Sequence, residues 1–283
     1  MLIYEKLGYN KIQARLIQLL LRDDNNNHSQ DIEKPYLIGG NGEIEKEKFI
    51  YQGRKIVFEK FILEDQIHYS LNTLDKKGEC LLIILSKNDN KDMCANINQI
   101  SLMEACPIAG KLKSGGGSLL LKIAIAFITN IKKKYKIKII QVKDNSEKSC
   151  KNKKIKLWLL NTLKDGLPWH IKYKFEPYDT ERLKLDETNK TKIIANLRIL
   201  SRTKTSILKE ENIIDIDNKI EKIYEKYKNK SIKDFFNELL KNDDNYVYLE
   251  NNQENIIINF LLFDISGISY YIDLNKLEYG SCY

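Results

Sequence analysis

Hydrophobic and polar positions alternate along the first half of the chain, and this pattern predicts β-strands. Five short segments of alternating or continuous apolar residues are separated by turn sequences; they are residues 49–51, 55–63, 66–74, 80–85 and 95–103. The sequence Asp75-Lys76-Lys77-Gly78 between the third and fourth segments is a hairpin signal. The succession predicts an antiparallel meander, in which each strand pairs with the one before it.

The hydrophobic period changes after residue 103. Residues 118–134 have the spacing of a helix and are apolar nearly all round at first, which predicts a buried helix. A strand is then predicted at 136–142, a second helix at 155–164, and a strand, or a turn leading to one, at 169–175. A meander followed by this alternation predicts an α+β (mixed α/β) fold with a central twisted sheet flanked by helices.

The two ends of the chain give a less regular pattern. Residues 1–22 predict a helix, which a loop follows, whereas residues 179–196 are polar. Further along, helices are predicted at 216–228 and at 231–241, the second capped by Ser231, and strands at 246–249, 256–263 and 268–274. We therefore predict three parts: an N-terminal helix and loop (1–46), a central domain (47–178) and an appended subdomain of helices and strands (179–283).

Three consecutive glycines, Gly115, Gly116 and Gly117, separate the predicted strand 95–103 from the predicted helix 118–134. Glycines let a backbone approach a ligand closely, and amides that open a helix lie at the positive end of its dipole. The stretch is thus a candidate phosphate cradle, with a flexible surface loop as the alternative. It lacks the Gly-Lys-Ser/Thr ending of a nucleotide-triphosphate loop and the later glycine of a dinucleotide fingerprint.

Charge is distributed unevenly along the 283 residues. Residues 107–175 contain seventeen lysines, no arginine and three acidic residues, a net charge of +14; because the whole chain carries +8, the remainder carries −6. A basic centre predicts an anionic ligand, although lysine runs are also common on solvated faces. A phosphorylated small molecule is favoured over nucleic acid, because few aromatic residues interleave with the lysines.

Cysteine and histidine usage limits the other possibilities. The five cysteines show no C-x-x-C spacing and only three histidines are present, so no metal site is expected. An odd cysteine count without a secretory signal favours a reducing compartment, hence the cytoplasm. The longest apolar run is about half a membrane span and contains Lys122, so no membrane-spanning segment is expected.

Two short motifs give residues 47–178 a resemblance to the GNAT superfamily of N-acetyltransferases. The family loop, Gln/Arg-x-x-Gly-x-Gly/Ala, is matched by Leu112-Lys113-Ser114-Gly115-Gly116-Gly117, with Leu112 in place of the polar residue. The family's closing motif, Leu-Tyr-x-x-x-Gly-Phe, is matched by residues 169–175: Phe175 fits, Lys174 replaces the glycine and His170 replaces the tyrosine. With a composition rich in Lys, Asn and Ile, the chain resembles a divergent member from a large DNA virus, acting in the host cytoplasm or in the virus particle.

The resemblance implies binding of acetyl-coenzyme A and transfer of its acetyl group to an amine of a small molecule or a protein. The implied cofactor-binding residues are Lys111, Lys113, Ser114, Gly115, Gly116, Gly117, Ser118 and Asn145. The lysines would meet phosphate charge. Asn145, which follows the predicted strand 136–142, either contacts the pantetheine arm or closes a turn.

The resemblance also implies catalytic roles. His170 takes the position of the tyrosine that protonates the leaving thiolate, unless it is simply a buried, satisfied histidine. Tyr173 is a second donor, but in a regular strand it would face away from His170. Glu104 is the candidate base, directly or through water, or an ordinary strand-end carboxylate. Cys106 has no histidine near it in sequence, and a structural role is favoured over a nucleophilic one.

Two other classes of function remain open at this stage. One is a non-catalytic structural or interaction protein, such as a component of a virus particle, that keeps the fold for binding. The other is a nucleic-acid binder that acts through the basic region at residues 107–175.

Overall fold

The computed structural model of the protein describes residues 44–88, 90–101, 103–108, 115–144, 147–149, 154–182, 184–260, 262, 265 and 267–275. The helix predicted at residues 1–22 lies outside the described residues.

The strands in the described part of the chain are β1 Glu45–Tyr51, β2 Arg54–Leu63, β3 Gln66–Asn72, β4 Glu79–Lys87, β5 Met93–Ile100, β6 Ile137–Lys143, β7 Glu147–Ser149, β8 Lys154–Lys156, β9 Glu176–Asp179, β10 Lys184–Leu185 and β11 Ser269–Asp273. Nine of them form one sheet, in the order β1-β2-β3-β4-β5-β6-β11-β9-β10. Every neighbouring pair is antiparallel except β5 and β6, which are parallel. The other two strands, β7 and β8, form a separate hairpin. The predicted α+β class and the meander are confirmed.

Helices lie between the strands along the chain. In the described residues they are α1 Gly116–Tyr135, α2 Leu157–Asp165, α3 Glu187–Arg202, α4 Ile207–Glu210, α5 Glu221–Tyr227, α6 Ile232–Leu239 and α7 Tyr246–Phe260. Two short 3₁₀ helices lie at Trp169–Tyr173 and Asp243–Asn245. Of the predicted helices, 118–134 and 155–164 are confirmed as α1 and α2. Ser231 caps α6 as predicted, because its Oγ accepts a hydrogen bond from the Asp234 amide at 3.2 Å.

The meander is made by tight turns that the local sequence encodes. Gln52 and Gly53 join β1 to β2 with φ angles of 49° and 74°, the left-handed pair of a two-residue hairpin turn. The β3–β4 turn is organised by Thr73, whose Oγ1 donates to Asp75 Oδ1 at 2.6 Å and accepts from the Gly78 amide at 3.1 Å. The hairpin signal at 75–78 is confirmed.

One face of the sheet packs against α1. Phe127 of the helix stacks on Phe58 at 4.1 Å between ring centroids, and it meets Tyr69 edge-on at 5.0 Å. All three rings are fully buried. Burial of such a side chain contributes roughly 1.5–3 kcal/mol, so this contact is a large part of what fixes α1, and hence its N-terminus, on the sheet.

The outer strand β1 carries charges of opposite sign on its two faces. Glu45 and Glu47 share the face that packs on α1; Lys60 Nζ lies 2.7 Å from Glu45, and the Tyr69 hydroxyl donates to Glu47 at 3.0 Å. Lys46 and Lys48 alternate with them and are exposed on the opposite face.

The chain divides into two compact units, each built from separate segments. The sheet unit contains Gly40–Asn145, His170–Lys190 and Ser266–Tyr283, and the helical unit contains Ser146–Trp169 and Thr191–Ile265. In the helical unit, α2 and α5 both pack on α6. Its core includes the fully buried rings of Trp158, Phe235 and Phe236.

Three segments differ from the sequence predictions. The strands predicted at 246–249 and 256–263 are wrong, since α7 spans most of both; its buried Leu249 and Ile256 are seven residues apart, two helical turns. The polar segment 179–196 contains β10 and most of α3. Residues 169–173 form a 3₁₀ turn that leads into β9, which is the second of the two alternatives given for this segment.

Candidate functional site

The parallel strands β5 and β6 stop pairing before β5 ends. Their register runs from Met93 opposite Ile137 to Ile97 opposite Val142, whereas β5 continues to Ile100 paired with β4. On the β4 side the register shifts at this point, leaving Asn98 as an extra, exposed residue. Such a bulge bends a strand. Crevices at the carboxyl ends of parallel strands are where open α/β sheets bind ligands.

Helix α1 connects these two parallel strands and ends two residues before β6, so it runs back along the sheet and begins towards the carboxyl end of β5. Gly115, its N-cap, is exposed with φ 79°, a conformation that favours glycine, and no described heavy atom lies within 4 Å of where a Cβ would stand. The amide of Leu119 donates the first intrahelical hydrogen bond, to Gly115 O at 3.0 Å. The amides of Gly116 and Gly117 therefore open the helix at the positive end of its dipole, and no acidic residue occupies the first turn.

Several residues of the predicted phosphate cradle cannot be placed. Lys111, Lys113, Ser114 and Asn145 lie outside the described residues. Ser118 lies in the first turn of α1 and is half-buried. The roles of Lys111, Lys113, Ser114 and Asn145 stay predictions. The described part of the cradle consists of Gly115, Gly116, Gly117 and Ser118.

His170 lies in a buried cluster in the sheet unit. Its Nδ1 is 3.4 Å from Asp144 Oδ2, and the two side chains are only 3% and 2% exposed. The imidazole stacks on the Tyr270 ring at 5.1 Å between centroids and meets Phe175 edge-on at 5.9 Å. Sequence reasoning missed Asp144 and Tyr270, because nothing in the sequence links three segments so far apart in the chain.

The backbone around Asp144 ties the end of β6 to the start of β11. The Asp144 amide donates to Ile268 O at 3.0 Å, and the Gly267 amide donates to Asp144 O at 2.8 Å. The backbone of Asp144 is therefore held beside β11, which neighbours β6 on the side away from β5. This arrangement fixes His170 firmly and gives it little access to solvent.

The turn at Trp169–Tyr173 changes the expected relation between the two candidate proton donors. Side chains three residues apart eclipse each other in a 3₁₀ helix, so Tyr173 lies on the same side of the turn as His170 and not on the opposite side, as in a strand. Tyr173 is half-buried, whereas His170 is buried. Of the two, Tyr173 is the more accessible.

Two carboxylates lie near the end of β5. Glu104 is exposed in the turn that follows this strand, and the neighbouring Ala105 O accepts from the Leu74 amide at 2.9 Å. Glu79 opens the antiparallel strand β4 and is half-buried; burial raises the pKa of its carboxyl. Gln99 Nε2 donates to Glu79 O at 3.1 Å, which brings the two strand ends together. No motif in the sequence pointed to Glu79.

The hydroxyl of Tyr270 has no hydrogen-bond partner among the described residues, although the residue is fully buried. Burial, and then the charge of Asp144, raise the pKa of this phenol. A buried unpaired hydroxyl is uncommon in proteins and calls for an explanation.

Cys106 is bonded to Cys80, the second residue of β4, with an S–S distance of 2.15 Å. Both cysteines are buried. A disulfide-bonded sulfur is no nucleophile, so the structure agrees with the structural role favoured from the sequence.

No group of three or more His, Cys, Asp or Glu side chains among the described residues is arranged to hold a metal ion. None of the described helices combines the length and the apolar character that a membrane crossing requires. Comparison with known proteins gave no match to a protein-family model, a curated protein or a solved structure.

Proposed function

We propose that the sheet unit binds acetyl-coenzyme A and transfers its acetyl group to an amine, as the resemblance to the GNAT superfamily implies. The observation that carries the proposal is the opening of α1 by Gly115–Gly117 at the end of the sheet where β5 continues past β6. The amides of the exposed Gly115 and the half-buried Gly117 would hold the pyrophosphate, whereas Gly116 is buried; the pantetheine arm would run between the two strand ends.

The backbone of the closing motif supports the same proposal. Lys174 stands where the family motif has glycine, and its φ is 66°, in the left-handed region that glycine adopts without strain. Phe175, the residue that matches the motif, is buried at 1% exposure. Position 174 thus has a backbone conformation that a glycine would adopt without strain, although a lysine occupies it.

The proposed chemistry needs a base and an acid. The nitrogen of a neutral amine attacks the thioester carbonyl carbon, a C–N bond forms, and the C–S bond breaks; one amine proton goes to a base, and the coenzyme thiolate takes a proton from an acid. Tyr173 is the proposed acid, because it is more accessible than His170. Glu104, in the turn that follows β5, is the proposed base, with Glu79 at the start of β4 as the second candidate.

Calorimetry with acetyl-coenzyme A and coenzyme A tests the binding step. Gly115→Asp places a side chain and a negative charge where a phosphate would bind, and we expect it to abolish binding. Gly53→Asp is the matched control, since Gly53 also has positive φ, 74°, and no described atom within 4 Å of a Cβ position. Equal binding by the two variants, or no binding of either ligand by the wild-type chain, contradicts the proposal.

Release of the coenzyme thiol in the presence of a panel of amines tests the transfer step. Tyr173→Phe is expected to lower turnover while coenzyme binding stays unchanged, and Glu104→Gln is expected to shift the pH profile of turnover. Unchanged turnover in both variants would remove these two assignments without affecting the binding proposal.

The second candidate is a protein that keeps the fold for binding without catalysis, such as a component of a virus particle. The burial of His170 favours it, because the residue at the position of the family's acid has almost no access to a ligand. Binding of acetyl-coenzyme A without thiol release for any amine is the result that selects this candidate.

The nucleic-acid alternative is weakened by the partners of the lysine run at residues 132–138. Lys132 Nζ donates to Leu274 O at 2.7 Å, Lys134 lies 3.7 Å from Glu47, and Lys138 lies 2.7 Å from Asp92. Part of the positive charge is therefore neutralised within the sheet unit. Steeply salt-dependent binding to single or double strands would restore this alternative.

The odd cysteine count remains the reason to place the proposed activity in the cytoplasm.

A further inference from the structure

The disulfide Cys80–Cys106 lies between the sheet and the chain that leads into α1. Residues 101–108, which we call the β5–α1 segment, connect β5 towards the glycines, and Cys106 anchors this segment to the start of β4. Two backbone hydrogen bonds also join the described part of the segment to neighbouring strands and turns: Ser101 N to Cys80 O and Leu74 N to Ala105 O, both 2.9 Å.

Side-chain packing adds one further attachment. Gly78 lies so close to Met103 that a Cβ on Gly78 would stand 2.9 Å from the Met103 sulfur. The segment nevertheless has exposed residues at Glu104 and Pro107. Because part of the segment is exposed, we expect it to open locally more readily than the strands beside it, with the disulfide as its covalent restraint.

We propose that Cys80–Cys106 is a redox-sensitive tether that holds the β5–α1 segment in place for ligand binding at α1. Reduction by a dithiol supplies two electrons and two protons: the S–S bond breaks, two cysteine thiols form, and the dithiol becomes a disulfide. The freed segment, residues 101–108, then opens, because Cys106 no longer holds the chain between β5 and α1 to the start of β4. The effect on ligand binding rests on the proposed function; the release of the segment does not.

The reducing compartment that the cysteine count predicts makes this chemistry relevant. In a reducing compartment, disulfides are usually transient and serve catalysis or redox sensing. Reduction of a buried disulfide requires local opening, which we expect of the partly exposed β5–α1 segment.

The third described cysteine does not interfere. Cys94 is buried, and burial raises the pKa of its thiol to about 11, so little thiolate exists near neutral pH. Because thiolate is the species that attacks a disulfide, Cys94 does not exchange readily with Cys80–Cys106.

The test compares the air-oxidised full chain with the same chain after dithiothreitol. Alkylation with mass spectrometry counts thiols at Cys80 and Cys106, hydrogen exchange follows residues 101–108, and calorimetry measures coenzyme A binding. We expect reduction to raise exchange in that segment and to weaken binding about tenfold, since the released segment must be ordered again on binding. Circular dichroism is expected to show that the reduced chain keeps its fold.

Variants separate the tether from other effects of the reductant. The double variant Cys80→Ser, Cys106→Ser is expected to behave like the reduced chain and to ignore dithiothreitol, whereas Cys94→Ala is expected to respond like the wild type. If the double variant does not fold, reduction of the wild-type chain alone decides.

Four results would overturn the tether. Two concern its state: free thiols at Cys80 and Cys106 in the air-oxidised chain, or equal hydrogen exchange in both redox forms. The other two are raised exchange with unchanged coenzyme A affinity, and global unfolding on reduction, which would show that the disulfide stabilises the whole fold. If neither form binds coenzyme A, the proposed function fails on its own. Exchange in residues 101–108 then still supports the tether if it rises and overturns it if it does not.

Discussion

Two fully buried tyrosines in the sheet unit differ in what their hydroxyls bind. The Tyr69 hydroxyl donates to Glu47 at 3.0 Å and lies 2.7 Å from the Tyr135 hydroxyl, whereas that of Tyr270 has no partner among the described residues. A buried hydroxyl contributes to stability only when it is paired, and an unpaired one lowers it. The two residues therefore form a matched pair for the same substitution.

We predict opposite effects of Tyr→Phe at these two positions. Tyr69→Phe is expected to lower the free energy of unfolding by about 1–3 kcal/mol, because it leaves polar partners unpaired, and Tyr270→Phe to leave it unchanged or raise it by up to about 1 kcal/mol. Urea unfolding of both variants measures the difference. A loss above about 1 kcal/mol for Tyr270→Phe would contradict the prediction and indicate that the hydroxyl has a partner in solution.

At the residue scale, local chemistry was predictable and distant contacts were not. Ser231 was recognisable as a helix cap because its partner, Asp234, is three residues away. The burial of His170 depends on Asp144 and Tyr270, which only the folded sheet brings to it. The three glycines indicated a backbone that a ligand can approach, but the left-handed conformation of Gly115 and its open surroundings are visible only in the structure.

Among the elements, the end of α2 shows how a single glycine fixes the packing of the helical unit. Gly166 follows α2 with φ 80°, and its amide donates to Thr162 O at 2.8 Å. A Cβ there would stand 2.5 Å from Leu197 Cδ1 and 3.2 Å from Lys233 Cδ. A side chain at this position is therefore unfavourable for both its backbone conformation and its space.

We predict that Gly166→Ala lowers the free energy of unfolding by about 2–4 kcal/mol, the sum of left-handed strain and overpacking. Gly53→Ala is the control, since Gly53 has a similar φ of 74° without a described neighbour within 4 Å; it is expected to cost about 1–2 kcal/mol. Denaturant unfolding compares the two. Equal losses would show that Leu197 and Lys233 move aside freely.

Asp217 and Tyr248 link the start of α5 to α7. The Tyr248 hydroxyl donates to Asp217 Oδ2 at 2.6 Å, and the amide of Lys219 donates to Oδ1 at 2.9 Å. The hydrogen bond from Tyr248 is the main reason that the pKa of Asp217 lies below its usual value. Burial, and then this hydrogen bond, raise the pKa of Tyr248 to about 12.

These pKa shifts predict that the stability of the fold decreases on both the acid side and the alkaline side of neutral pH. The folded pKa of Asp217 is below its unfolded value of about 3.9, so its contribution is present above pH 3.9 and is lost as pH falls through the folded value. The folded pKa of Tyr248 is above its unfolded value of about 10, so its contribution is present below pH 10 and is lost as pH rises towards 12. Thermal unfolding against pH is expected to flatten on the acid side in Asp217→Asn and on the alkaline side in Tyr248→Phe. If the pH dependence of thermal unfolding is the same in both variants as in the wild-type chain, the contribution of the Asp217–Tyr248 hydrogen bond is contradicted.

Element types were predictable where the hydrophobic period was strong, as in α1, and failed in α7. There, Tyr-Val-Tyr-Leu and Ile-Ile-Ile have the composition of strands, with the turn-forming pair Asn251-Asn252 between them. Burial of Leu249 and Ile256 on one side of a helix outweighed this local preference. Polar composition hid α3 in the same way, since only a few of its residues, such as Ile193 and Ile199, are buried.

For the whole molecule, the position of β11 in the sheet has the largest consequence. This strand comes from the last part of the chain, yet it pairs with β6, where Tyr270 lies opposite Val142, and with β9, where it lies opposite Pro177. The helical unit is thus largely inserted between β10 and β11. Hydrophobic pattern shows that a strand is present at 268–274, but not which strand it joins.

We predict that a chain truncated after residue 178 does not form the native sheet, because β6 and β9 lose the strand between them. Near-ultraviolet circular dichroism is expected to be lost and dye binding to rise, as for a state without fixed packing. A chain that ends at residue 275 keeps β11 and is expected to retain both signals of the full chain. Native spectra from the shorter chain would contradict the prediction.

The charges on β1 bear on how one molecule meets another. Two copies that joined their β1 edges in antiparallel fashion about a two-fold axis would bring like faces together, so that Lys46 and Lys48 of each would crowd on one side and Glu45 and Glu47 on the other. Repulsion between like charges opposes such a junction. Among the described residues β1 pairs only with β2, and we expect its alternating Glu-Lys-Glu-Lys charges to disfavour continuation of the sheet into a neighbouring molecule and growth into a fibre.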